Sequence, residues 1–341
     1  MHHCITYILC FNVQGKVFYL ITDWLNLSLK LLDTTPFHLL LYASVIFSLA
    51  LLIVKSQTRK LFKVNRILKE KEQACRAIEI QKTELEYKNK SITDSLIYAQ
   101  RIQEALLPSE EYFRKYLVES FIFYRPRDIV SGDFYWIGDR NGKIYVVAAD
   151  CTGHGVPGAL MSMIGHDLLE KIINVDKIDK PSEVLNLMSE SLEKTFSREK
   201  NPGDVIRDGM DIGLCIIDKK NRKIQFSGAF FPLYIIRDYR LIDLKGDRFT
   251  LGISSDEARF TNHEIDLQEN DMMYLFSDGY VDQFGGTDSK KFMYRRFRYL
   301  LMTIHKFPVE DQKLILEENI KTWMGSSPQI DDMLVIGFKP L

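Results

Sequence analysis

Between Leu61 and Leu107 the chain contains neither glycine nor proline. That stretch limits the possible architectures more than any other feature, because a helix started inside it meets no local stop signal. Positions alternately three and four apart read Leu61, Val64, Leu68, Lys71, Cys75, Ile78, Lys82, Leu85, Asn89, Ile92, Leu96, Ala99, Gln103 and Leu106. Ten of these fourteen are apolar, and such a period describes a coiled-coil seam rather than a helix folded back on its own core. Asn89 falls at an a position, where one buried amide lowers stability but favours a two-stranded, in-register pair. The spacing predicts a parallel homodimeric stalk over residues 55–108, roughly 70 Å long and ended by Pro108. Lys71, Lys82 and Gln103 weaken the seam, and a solvated single helix is the alternative.

Immediately upstream, Phe37 to Val54 reads FHLLLYASVIFSLALLIV, 18 residues without a formal charge. As a helix this run spans roughly 27 Å, within the range of membrane-crossing helices; a buried core helix is the other reading. Pro36 marks its start, and Lys55, Arg59, Lys60, Lys63, Arg66, Lys69 and Lys71 follow it. The positive-inside rule then places everything after Val54 in the cytoplasm, as expected of a single-pass protein of the cell membrane. Residues 1–36 form an N-terminal segment of unknown role. There CITYILCFNVQGKVFYLIT alternates like a hairpin, while Lys16 to Leu32 also fits an interfacial or second membrane segment. The first residues lack a basic n-region, which disfavours a cleavable signal peptide.

The 45 basic and 46 acidic side chains of the 341 residues leave a net charge of −1, which argues against a general nucleic-acid binder. Cys4, Cys10, Cys75, Cys151 and Cys215 show no zinc or CxxC spacing and fit a reducing compartment. After Pro108 the pattern changes to short apolar runs between turns, a globular domain over residues 109–341. KIYVVAAD, MDIGLCIID, KIQFSG, MMYLFSD and MLVIGF read as strands, with Met210–Asp218 and Lys223–Ser227 flanking Lys219–Arg222 as a hairpin. Pro157–Asn174 and Pro181–Phe196 read as helices with proline in the first turn. Strands and helices come in blocks, so the fold class is α+β, a sandwich with antiparallel sheets.

Aspartates gather where these strands end and glycine-rich turns begin: Asp133 in SGDFYW, Asp150 in AADCTGHG, Asp278 in FSDGY, and Asp331 and Asp332 in IDDMLVIG. Taken singly each Asp-Gly is an ordinary turn. Taken together, carboxylates brought to one place repel unless a cation or protons intervene, so convergence implies bound divalent metal. All-oxygen ligands favour Mg²⁺ or Mn²⁺, and no zinc or EF-hand spacing is present. Two such ions can share a water, lower its pKa and aim it at a phosphoryl group.

DIVSGDFYW, AADCTGHGVPGALMS, DGMDIGLCIID, LFSDGYVDQFGG and QIDDMLVIGF, in that order, resemble the bacterial SpoIIE/RsbU-like branch of the PPM (type 2C) metal-dependent serine/threonine phosphatases. The resemblance covers roughly residues 92–341. It implies an αββα sandwich with two antiparallel sheets, two Mn²⁺ or Mg²⁺ ions, and hydrolysis of phosphoserine or phosphothreonine without a covalent phosphoenzyme. Position by position, it implies that Asp133 is the first metal-site acid, Asp150 the bridging carboxylate, and Cys151 a ligand through its backbone carbonyl. Asp278 matches the acid of the SDG motif and Asp331 the last ligand, with Asp332 the second choice for that place or a partner of the adjacent loop. The partner class it implies is a phosphorylated anti-sigma-factor antagonist or similar STAS protein, and it implies that the helix leading into the domain controls activity.

Other residues stay open between two roles. His154 is placed either as a general acid or in loop hydrogen bonding, since relatives of the eukaryotic branch carry histidine where this chain has Thr152. Asp211 is either a structural anchor or a metal contact. Arg125 and Arg127 sit upstream of the first acid, where Arg127 is the candidate for the substrate phosphate and solvated arginines are the alternative. Phe134, Tyr135 and Trp136 read as core or rim. The competing function is a noncatalytic dimeric scaffold that keeps the phosphatase fold, whereas a histidine kinase is excluded by the lack of histidine in residues 55–108.

Overall fold

The computed structural model describes residues 37–196, 208–253 and 259–341, together with Tyr19, Thr22, Asp23, Trp24, Asn26 and Leu27. Apart from those six positions, the hairpin and membrane readings of residues 1–36 lie outside the described residues. The run without glycine or proline forms one helix, α1 (Phe37–Leu106), which stops two residues before Pro108. Its most apolar window has a mean hydropathy of 2.2 with none of it buried, so α1 is long and apolar enough to cross a membrane. Contacts divide the chain into two compact units, Met1–Lys88 and Asn89–Leu341.

Along the first of these units α1 holds apolar side chains in water. Leu61, Val64, Leu68, Ile78 and Leu85 are between 47% and 64% exposed. Gln103, given above as a seam position, is different: it is 5% exposed and bonded to its own chain. That side chain is therefore held within its own unit and is not free to face a second helix.

The central strands of the second unit, such as Lys143–Cys151, Met272–Phe276 and Met333–Phe338, are buried on both faces, which is why they read as continuous apolar runs. After α2 (Glu110–Tyr116) come β1 (Ser120–Arg125), β2 (Phe134–Arg140), β3 (Lys143–Cys151), α3 (Val156–Leu169) and α4 (Pro181–Phe196). Between the two helices, Glu170–Val175 continues α3 as a π-helical turn. Next are β4 (Met210–Asp218), β5 (Lys223–Ala229), β6 (Leu233–Arg237), β7 (Arg240–Leu244), β8 (His263–Asp266) and β9 (Met272–Phe276). The chain finishes with the short α5 (Gly279–Asp282), β10 (Phe284–Gly285), β11 (Lys290–Lys291), α6 (Tyr294–Ile304), α7 (Val309–Met324) and β12 (Met333–Phe338). One five-stranded antiparallel sheet has the order β1-β12-β9-β6-β7 and the other β2-β3-β4-β5-β8.

Period-two alternation sorts side chains into layers. Ile144, Val146 and Ala148 of β3 meet Leu334, Ile336 and Phe338 of β12 in the core between the sheets. The intervening Tyr145, Val147 and Ala149 pack outward on Leu169, Leu185 and Met188 of α3 and α4. On the far side Met333 and Val335 pack on Phe297 and Leu316 of α6 and α7. The layers are therefore helix, sheet, sheet, helix. The predicted hairpin is present with Asp218 opposite Lys223, and the aromatic run is core: Phe134 and Trp136 face the α3–α4 side, Tyr135 the middle.

Candidate metal centre

Four strand ends deliver the aspartates to one edge of this sandwich. Asp133 immediately precedes β2, Asp150 lies at the end of β3, Asp278 follows β9 after Ser277, and Asp331 comes two residues before β12. A recess of ≈ 210 Å³ is lined by Asp150, Cys151, Asp211, Asp278 and Asp331, with Thr152, Gly153, His154 and Thr250. Asp133 lies behind this lining, 1% exposed. Two glycines make the close packing possible. A Cβ on Gly158 would stand 2.3 Å from the carbonyl of Gly153, and one on Gly279 would stand 1.8 Å from the carbonyl of Asp332.

The electrostatics are those of like charges held out of water. Burial and then the repulsion of Asp133, Asp278 and Asp331 push Asp150 well above the ordinary carboxylate range. Burial likewise raises Asp133, opposed in part by a hydrogen bond from Ser277. Asp278 is raised to about 6 by burial, then by Asp282 and Asp331. Asp211 lies directly opposite Asp150 across the β3–β4 ladder, where two carboxylates ordinarily destabilise a pair. Its Oδ1 accepts a hydrogen bond from the Thr250 hydroxyl at 2.7 Å.

The neighbouring Asp331 and Asp332 are used differently. Asp332 is 3% exposed, and its Oδ1 accepts the Arg127 N–H at 2.6 Å while its Oδ2 accepts the Gly132 N–H at 2.7 Å. It thereby fixes the loop that carries Asp133, whereas Asp331 lines the recess. Arg127 is exposed and donates from Nη1 to the Ile330 carbonyl at 2.9 Å. Burial raises the pKa of Asp331, opposed first by the hydrogen bond from the Asp332 N–H and, last, by the Arg127 charge. His154 Nδ1 lies 3.0 Å from Asp128 Oδ2, a pairing between exposed loop residues.

Two supports were not legible as site residues. Gln103 Nε2 donates to the Ser131 carbonyl at 2.6 Å and to Ser162 Oγ at 2.9 Å, and its Oε1 accepts the Ser131 N–H at 3.1 Å. Both ends of one amide thus clamp the residue two before Asp133. Its signal was a glutamine on the apolar seam within the last turn of α1, where a buried amide needs partners. The Ser277 hydroxyl donates to Asp133 Oδ2 at 2.6 Å; it sits in the SDG motif, where the acid drew attention instead.

The donor set fits hard divalent cations. It is made of carboxylate oxygens, and Asp133 Oδ1 is buried with no hydrogen-bond partner, an arrangement that costs stability unless another group engages it. Among the described residues no three His, Cys, Asp or Glu side chains close around a single point.

The sequence model described as stage II sporulation protein E (SpoIIE) matches residues 140–340. The phosphoserine phosphatase RsbU of Bacillus subtilis (strain 168) is 30% identical over 170 residues, which is 46% of this chain and 44% of RsbU. The chain therefore spans less than half the length of that curated relative. The SiaA-PP2C domain of Pseudomonas aeruginosa superposes with a TM-score of 0.68 at 32% identity, over 74% of this chain and 98% of that domain. The PP2C phosphatase domain of SpoIIE from Bacillus subtilis, with a fragment of its regulatory domain, shares the fold at 18% identity and a TM-score of 0.52, over 65% of this chain and 63% of that one. A PP2C-like pair of antiparallel sheets, the ordered aspartate motifs at one edge and a profile match over more than half the chain together place this protein in the SpoIIE family.

Proposed function

We propose that this protein is a membrane-anchored, metal-dependent serine/threonine protein phosphatase acting on a phosphorylated regulatory protein of the STAS type. One observation carries the reading: Asp150, Asp278 and Asp331, from three separate strand ends, line a single recess with Asp133 buried behind it, and burial and mutual repulsion raise the pKa values of Asp150 and Asp278. Asp133, Asp150, Asp278 and Asp331, with the Cys151 carbonyl, would hold two Mn²⁺ or Mg²⁺ ions. Asp332 is kept for the loop by its two N–H partners. Bound there, the metals supply Lewis-acid polarisation of a phosphoryl oxygen and a water of lowered pKa.

The chain's own residues do the rest. Asp150 and Asp278 concentrate negative charge at the reacting end of the recess. Arg127, tied by Nη1 to Ile330, offers the remaining edge of its guanidinium to a substrate phosphate. Asp332 and Gln103 hold residues 127–133 in place, so that Asp133 is presented without conformational search.

Residues 37–54 act as the membrane span with the basic cluster on the cytoplasmic side, 55–108 as the signalling linker and 109–341 as the phosphatase domain. The exposed apolar row from Leu61 to Ile92 supports a parallel homodimer through that linker. Gln103 on the same helix supports control of the metal loop by the linker. The test is hydrolysis of p-nitrophenyl phosphate by the full chain in detergent micelles. We expect turnover with Mn²⁺ and its loss in EDTA; absence of turnover with either metal would favour the noncatalytic scaffold.

A further inference from the structure

Ser277 follows β9 directly and is 1% exposed. Its backbone N–H donates to the Leu334 carbonyl at 3.0 Å, and its hydroxyl accepts the Leu334 N–H at 3.0 Å. A side-chain oxygen thus replaces the backbone carbonyl as the last acceptor of the β9–β12 ladder, freeing the main chain to turn into Asp278 and Gly279.

The same bond fixes where the hydroxyl hydrogen points. A serine hydroxyl has one hydrogen to give, the Leu334 N–H occupies an acceptor position, and Asp133 Oδ2 lies 2.6 Å away. The hydrogen goes to Asp133. Ser277 belongs to the end of one sheet and Asp133 to the start of the other, so this short bond crosses the sandwich and ties the position of one acid to the turn that carries another.

A carboxylate rotates broadly about its last torsion and has two equivalent oxygens. The hydrogen bond from Ser277 removes that equivalence. Oδ2 is engaged, and Oδ1 is buried without a partner; the Tyr124 hydroxyl reaches only the main-chain carbonyl of Asp133, at 3.2 Å. We propose that Ser277 is a positioning residue for the metal centre, holding the Asp133 carboxylate so that Oδ1 is the oxygen offered to a divalent cation. This rests on the phosphatase reading above.

The experiment is a calorimetric Mn²⁺ titration of the full chain in detergent micelles, comparing wild type with Ser277→Ala, Ser277→Cys and Ser277→Thr. Partners that orient a ligand typically change metal affinity by about tenfold to a hundredfold, and we expect that weakening in the Ala and Cys variants. Cysteine keeps the shape but supplies only a weak donor, whereas Thr keeps the hydroxyl and should recover most of the affinity. Wild-type Mn²⁺ binding with an unchanged dissociation constant in both Ala and Cys variants, or lowered melting without weaker binding, would overturn the proposal for Ser277 alone. A wild-type chain that takes up no Mn²⁺ would overturn the phosphatase reading with it.

Discussion

The exposed reach of α1 and the aspartate recess break the ordinary partition between water and protein interior in opposite directions. Ile78 and Leu85 stand in water at 64% and 59% exposure, while Asp133 is buried at 1%. Each departure costs free energy in the isolated chain, and under the proposed function each is relieved by something outside it. Lipid or a second apolar helix covers the first; a cation compensates the second. The lesson is that the two kinds of partner are written in different terms, area for the helix and charge for the recess, and each calls for its own test.

The largest effect belongs to the recess. Asp150→Asn and Asp278→Asn each keep the side-chain size but remove a negative charge, and metal catalysis contributes several kcal/mol of transition-state stabilisation. Turnover of p-nitrophenyl phosphate should fall by about a thousandfold or more. Variants within about tenfold of wild type, a barrier change of only about 1.4 kcal/mol, would break the charge half of the comparison.

The next effect is on stability. Asp278 is raised to about 6, and Asp150 and Asp331 are raised by burial and repulsion. Their folded forms therefore keep protons that the unfolded chain has already lost, so these groups make stability fall as pH rises from about 4 through about 6. In EDTA the melting temperature of the phosphatase unit should drop over that window. Mn²⁺ at about one hundred times its dissociation constant should restore roughly 2.7 kcal/mol near neutrality, and the sign of the pH slope should reverse because protons then compete with the cation. Melting that is indifferent to both pH and Mn²⁺ would show that these carboxylates feel no common field.

The helix, the hairpin at Lys219–Arg222 and the strand ends bearing the acids were legible because each rests on local spacing: the absence of glycine and proline, period two, and apolar runs that close on Asp. The sheet order and the supports of the site were not. Gln103 bonds Ser131, 28 residues away, and Ser277 bonds Asp133, 144 residues away, so neither contact leaves a short-range pattern. Asp331 and Asp332 make the same point. Adjacent in sequence, one lines the recess and the other does not, and the two backbone N–H groups that claim Asp332 come from residues 127 and 132.

Smaller effects test the end of α1 that meets the site. Gln103→Leu leaves the buried Ser131 N–H and carbonyl without their partner and removes the bond to Ser162 Oγ, a loss of about 1–3 kcal/mol, and should lower both the melting temperature and the Mn²⁺ affinity of the full chain. A loss confined to melting would make Gln103 a packing residue with no influence on the loop carrying Asp133.

The smallest effect lies on the exposed stretch, at Asn89. In a parallel pair the two Asn89 amides face each other in an apolar seam, a polar contact that lowers stability while excluding other registers and higher orders. Replacing Asn89 with Leu removes that penalty and adds apolar area, so the assembly should gain about 1 kcal/mol and lose its restriction to two strands. Cross-linking of the full chain in detergent should then give species above the dimer, and basal turnover should shift because the helix that carries Asn89 also carries Gln103, about four turns further on. Unchanged cross-linking together with unchanged turnover would mean that the apolar row is not a seam, and that its exposed leucines and isoleucines answer to some surface other than a second copy of this helix.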